Sequence, residues 1–130
     1  MSKHNVIDAA LGVHADALKL RARRAELLGA NIANADTPGF QARDMDFAAA
    51  LRAAQDGGEL RRSHQLHLAV GNADAGNPEY RIPQQPSADG NTVDPQLEKS
   101  AFAENSVAYQ IELEFLGSRF RGLLSAIRGE

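Results

Sequence analysis

Few residues of this chain are of types and spacings that could do chemistry. His64 and His67 stand in an HxxH spacing, which puts two imidazoles on one face only if that segment is helical. Leu66, Leu68 and Val70 alternate instead, so Gln65 to Val70 reads as a short strand that separates the two rings. No Glu sits where a zinc-binding HExxH motif needs one. Asp44 and Asp46 form a DxD pair without a third ligand type nearby, and Ser63 beside His64 lacks a strand–turn–helix nucleophile elbow. Gly57-Gly58 is too short to cradle a phosphate and reads as the end of a helix. Asp36-Thr37-Pro38 has the look of a phosphoacceptor context, but turn geometry already accounts for it. The expectation is no catalytic residue, no metal ligand set, no cofactor and no enzyme.

The elements that would have to position any site are therefore the better guide. From about Val6 to Ala33 there is no proline, and apolar residues follow helical spacing. Leu20, Leu27 and Leu28 fall together on a wheel of about 100° per residue, with Leu11, Leu18 and Ile32 continuing round the cylinder. That arc covers roughly 200°, about twice the stripe that one packing partner requires. His14, Arg21 and Arg24 lie inside it, and are expected to bury their stems and reach their polar ends outward.

The stretch Asn31 to Phe40, NIANADTPGF, has to end this helix. Asn31 and Asn34 are poor interior and good terminal residues. Thr37-Pro38-Gly39-Phe40 then spells a type II turn, with Pro38 presetting φ and Gly39 accepting the positive φ that follows. Asp36 and Thr37 add short side chains able to bond backbone groups freed at the helix end.

Beyond the turn, Met45 to Gln55 has the composition of a short helix, and 71–91 is mostly loop with room for one small β-hairpin around Tyr80-Arg81-Ile82. Asp94-Pro95 opens a last helix, as N-cap and first helical residue, that runs to about Ile127. On it Phe102, Tyr109, Leu113, Leu116, Phe120, Leu123 and Ile127 repeat at threes and fours, the spacing of a coiled-coil seam. Leu97, Ala108, Ile111, Phe115, Gly122 and Ala126 make a second stripe, placed nearly opposite. The fold class expected is mainly α: long terminal helices packed as a coiled-coil-like pair around an irregular middle. The natural divisions are an N-terminal helix over 1–35, a turn, short helix and extended segment over 36–93, and a C-terminal helix over 94–130.

Composition narrows the classes further. Net charge is −3 with no long basic cluster, which argues against nucleic acid. No run of about 18 apolar residues exists to span a bilayer. Asp8, His14 and Asp16 interrupt any apolar core that a cleavable signal would need. Cysteine is absent, which removes disulfides and thiolate chemistry. Aromatic residues are 5% of the chain and Trp is missing, so a large independent core is not expected. Fully burying a Leu, Ile or Phe contributes about 1.5–3 kcal/mol, and a second stripe left in water forgoes several of these. Companion subunits are the expected remedy.

The run Leu27 to Phe40 closely resembles the N-terminal signature of the flagellar rod, hook and hook-filament axial proteins. Gln41 to Phe47 (QARDMDF) and Asp89 to Asp94 (DGNTVD) narrow the resemblance to one rod branch of that family, distinct from FlgC. Phe102-Ala103-Glu104-Asn105-Ser106, Tyr109-Gln110 and Leu116-Gly117-Ser118 carry it into the last helix. Residues 52–78 carry little of it, and Phe40 stands where many members have Tyr. The resemblance implies a structural subunit of the basal-body proximal rod, exported by the flagellar type III apparatus to the periplasmic side. It would link the export gate and membrane ring to the rest of the rod and transmit torque. The partners implied are further copies of the chain, rod proteins such as FlgC, FliE and the export-gate proteins. Read without the resemblance, a soluble helical adaptor or export chaperone remains an alternative.

Overall fold

The computed structural model describes residues 4–59, 77–84 and 87–129. In chain order they form α1 (His4–Ala33), β1 (Arg43–Asp44), α2 (Phe47–Glu59), β2 (Glu79–Tyr80) and α3 (Pro95–Arg128). The helices α1 and α3, of 30 and 34 residues, pack against one another along most of their length. At 1.5 Å per residue each is on the order of 45–50 Å long. The fold is mainly helical, with the terminal helices paired and a small antiparallel two-strand sheet between them, as the spacing predicts. The HxxH pair and the strand expected at 65–70 lie outside the described residues.

Local chemistry sets the ends. The Asp94 carboxylate accepts from the N–H groups of Gln96 and Leu97, and Pro95 needs no partner at the first helical position. Gly129 closes α3 in the left-handed conformation. Asp46 caps α2 by accepting from the Ala49 N–H at 3.0 Å. That helix continues through Gly57-Gly58 to Glu59 rather than stopping there. A glycine costs a helix only about 1 kcal/mol relative to alanine, which weakens a turn without forbidding it. Nor is the sheet a local hairpin: Arg43 pairs with Tyr80 and Asp44 with Glu79, so its strands flank the whole α2 segment.

The rotation of α3 differs from the one that its apolar spacing predicts. The residues most withdrawn from solvent on it are Glu98 and Asn105, at 0% and 1% exposure, and Glu112 is half-buried below them. On a wheel of about 100° per residue this polar line sits about 45° from the Phe102–Ile127 seam and about 85° from the Leu97–Ala126 stripe. The two apolar stripes are thus flanks of the inward face and not opposite sides. Tyr109, Leu116 and Leu123 of the seam are half-buried, while Leu113 (51%), Phe120 and Ile127 (81%) are exposed. Ile111 (63%) and Phe115 are exposed on the other flank. On α1, Leu28 is fully buried and Leu11, Leu18, Leu20, Leu27 and Ile32 are half-buried.

Candidate assembly site around the signature turn

The α1 helix ends as its asparagines require. Asn34 Nδ2 donates to the Ala30 carbonyl at 2.8 Å, and the Thr37 hydroxyl donates to Asn34 Oδ1 at 3.1 Å. The Phe40 N–H reaches the Thr37 carbonyl at 3.2 Å with Gly39 at φ 74°, the geometry of a turn with positive φ in third place. Pro38 and Asp36 are exposed. Asp36 takes no part in the hydrogen bonds that close the turn; the carbonyls freed at the helix end go elsewhere.

They go to Asn91, from the loop before α3. Its amide nitrogen shares two N–H groups among the carbonyls of Asn34, Ala35 and Thr37 at 2.9–3.0 Å, and its Oδ1 accepts from the Val93 N–H at 2.8 Å. Beside it, the Thr92 hydroxyl accepts from the Ala42 N–H at 2.8 Å, and the Gly39 N–H reaches the Asp89 carbonyl at 2.9 Å. The Asp89 carboxyl is held below the ordinary carboxylate range by the Ser87 hydroxyl and the Asn91 N–H. The NIANADTPGF and DGNTVD segments therefore form one knot, which satisfies buried backbone groups that would otherwise lack partners.

Asn31 is its inner member, at 1% exposure. It is a tie between elements more than a helix terminator. Its amide mimics a neighbouring strand: Oδ1 accepts from the Arg43 N–H at 3.0 Å and Nδ2 donates to the Arg43 carbonyl at 2.7 Å. The same Nδ2 donates to Glu98 Oε2 at 3.1 Å. Arg81 pairs with the other Glu98 oxygen and with Asp44 Oδ2 at 2.7 Å, and Arg24 clamps Asp44 with two bonds of 2.9 and 3.0 Å. Burial pushes the Asp44 carboxyl up, but the Arg24 bonds, the Met45 N–H and Arg81 outweigh it and leave the pKa below its usual value. The Arg24 guanidinium is correspondingly raised by its bond to Asp44.

The polar ends of α1 therefore turn inward, against the expectation that they reach for water. Arg21 lies over the Phe47 ring at 3.9 Å and close to Asn105, with its Nε buried and without a hydrogen-bond partner among the described residues. Burial lowers the Arg21 pKa. His14 Nδ1 meets Glu112 Oε2 at 2.7 Å. Outside the knot, Leu27, Ala30, Phe40, Gln41, Arg43 and Tyr80 line an open groove of about 540 Å³.

Sequence reasoning missed Glu98, Arg81, Asn91 and Asn105 as a set. The signal was there only as heptad spacing of polar residues at 98, 105 and 112, which a search for apolar periodicity passes over. It weighed Asp44 only as half of a DxD pair, set aside as a metal site, and did not see an ion-pair hub.

Two long terminal helices are thus clasped where the first one ends, and the second leaves large apolar side chains exposed. Residues 11–41, which include the whole Leu27 to Phe40 signature, match the family model described as flagella basal body rod protein. Over 95% of its length the chain is 50% identical to the flagellar basal body rod protein FlgB of Aeromonas hydrophila, of which it covers 96%. It is 46% identical to FlgB of Salmonella typhimurium over 95% of the chain and 96% of that protein. Against FlgB of Escherichia coli K12 the figures are 44%, 94% and 95%. The chain belongs to the FlgB family of flagellar basal body rod proteins, which are structural proteins and not enzymes.

Proposed function

We propose that the chain is a subunit of the proximal rod, which assembles through its terminal helices and carries torque between the membrane ring and the rest of the rod. The observation that supports this reading is the number of large apolar side chains that α3 leaves in water: Leu97, Phe102, Val107, Ile111, Leu113, Phe115, Phe120, Leu124 and Ile127. At about 25 cal/mol per Å² of apolar area removed from water, covering both stripes is a driving force for association. The segment 1–35 and the segment 94–130 supply the helical contacts, and 36–93 sets how the outer part leaves them. The residues Asn31, Asn34, Thr37, Pro38, Gly39 and Phe40 hold that angle, with Asp36 on the exposed side of the turn.

The partners this role requires are further copies of the chain, rod proteins such as FlgC, FliE, and the export-gate proteins at the rod base. The route is export by the flagellar type III apparatus, with the assembled protein on the periplasmic side. Among the described residues no helix is long and apolar enough to cross a membrane. Complementation tests the reading: Phe120→Asp or Ile111→Asp should abolish swimming while the protein is still secreted, and both should be missing from purified basal bodies. Normal swimming by both variants would contradict it, and retention of the native chain in the cytoplasm would favour an adaptor.

A further inference from the structure

The face that α3 turns toward α1 is not its most apolar one. Glu98, Asn105 and Glu112 repeat at intervals of seven and meet, in antiparallel order, Asn31, Arg21 and His14 of α1. The Asn105 amide donates to the Arg21 carbonyl at 2.8 Å, and the contacts on either side tie down the same line. A roll of about 45° would bring the rest of the Phe102–Ile127 seam, Leu113 and Phe120 above all, onto α1 beside the half-buried Tyr109, Leu116 and Leu123. That alternative buries more hydrocarbon, which a lone helix pair should prefer.

We infer that the Glu98–Asn105–Glu112 line is a rotational key: it holds α3 in the orientation that leaves Leu113, Phe120 and Ile127 of one stripe and Ile111 of the other facing outward. The physical logic is that of a buried polar residue in a coiled coil, which gives up stability to fix register and pairing. Rolled onto the seam, α3 would carry Glu98, Asn105 and Glu112 out of reach of their partners and strand Asn31 and the Arg21 carbonyl side. In the observed orientation each is matched. The key sets which surface a neighbour meets, so it rests on the reading that the stripes serve neighbours. Its test concerns the orientation of α3 alone and needs no rod.

The chain contains no cysteine, so a single introduced thiol reports its own surroundings. Leu113→Cys and Ile111→Cys, placed on the two stripes, are labelled with a maleimide in dilute full-length protein, with and without Asn105→Ala/Glu112→Ala, which removes the polar line without adding large apolar side chains to the inward face. In the native background both thiols should react readily. In the double-alanine background the protein should remain at least as helical by circular dichroism. Labelling at Leu113→Cys should then fall about tenfold, equivalent to about 1.4 kcal/mol, while Ile111→Cys stays fast. Glu112→Gln, which can still accept a bond from His14, should leave both rates unchanged. Unchanged labelling at Leu113→Cys in the double-alanine protein would overturn the inference. So would loss of helix on that substitution, because the polar line would then be holding the pair together and not steering it. A swimming defect in the Ile111→Asp variant tests the assembly reading separately.

Discussion

The two halves of the α1–α3 pair are built on opposite plans. At the end near the signature turn, Asn31, Asn91, Glu98, Arg81, Asp44 and Arg24 lock four segments together through hydrogen bonds and ion pairs. Along the other half, from Val107 to Arg128, α3 presents a mostly exposed apolar surface. The first region ties its segments through matched polar groups; the second leaves large apolar side chains in water. On the proposed reading, specificity and adhesion are kept apart along one helix. The difference predicts that stability of the free chain is concentrated in the knot, and that substitutions at the exposed stripe positions matter chiefly in the assembly.

The most damaging change to the free chain should be Glu98→Ala. It strands the Arg81 guanidinium and the Asn31 amide, and breaking a buried charge pair from one side costs about 3–5 kcal/mol. Urea denaturation of purified protein should show that loss, and a cost below about 1 kcal/mol, the scale of an exposed pair, would undo the contrast between the halves. Asn91→Ala removes the donor to three carbonyls and should cost about 1–3 kcal/mol, read from the same curves.

Acid sharpens the comparison without any substitution. Because the Asp44 pKa is lowered in the folded chain, its contribution is fully present above the ordinary aspartate value. It is lost as pH falls through the lower, folded value. Stability should therefore drop in this acid window, and Asp44→Asn should be less stable at neutral pH and less steeply dependent on pH within that window. Equal acid slopes in both proteins would count against the hub.

Gly39→Val should cost about 1–2 kcal/mol by forcing a branched side chain into a left-handed turn, with weakened swimming as a second readout. Smallest for the free chain should be Phe120→Asp and Ile111→Asp, within about 0.5 kcal/mol, as for surface sites away from special features. A large loss of monomer stability in either would mean that the outer half is already part of a core.

Much of the frame was legible in the residues. Asp94-Pro95 and Thr37-Pro38-Gly39 announce their helix ends by chemistry that acts within four residues, and both stripes of α3 follow from spacing alone. Spacing states which side chains share a face but not which face meets a neighbour. That choice fell to Glu98, Asn105 and Glu112, whose partners lie 67 to 98 residues away in the chain. The pairing of Arg43 with Tyr80 is similarly non-local. Asn31 could be recognised as a terminal residue, whereas its use as a surrogate strand depends on where Arg43 is brought by the turn. Gly57-Gly58 misled for a different reason, since a modest propensity cost does not by itself end a helix.

Covering of the outer stripes is tested most directly by comparing the same side chains in the free subunit and in the rod. Oxidative footprinting of Phe115 and Phe120 should find both reactive in dilute purified protein and strongly protected in isolated basal bodies. Equal reactivity in the two states, or protection already complete in the dilute chain, would contradict a subunit whose apolar flanks await neighbours.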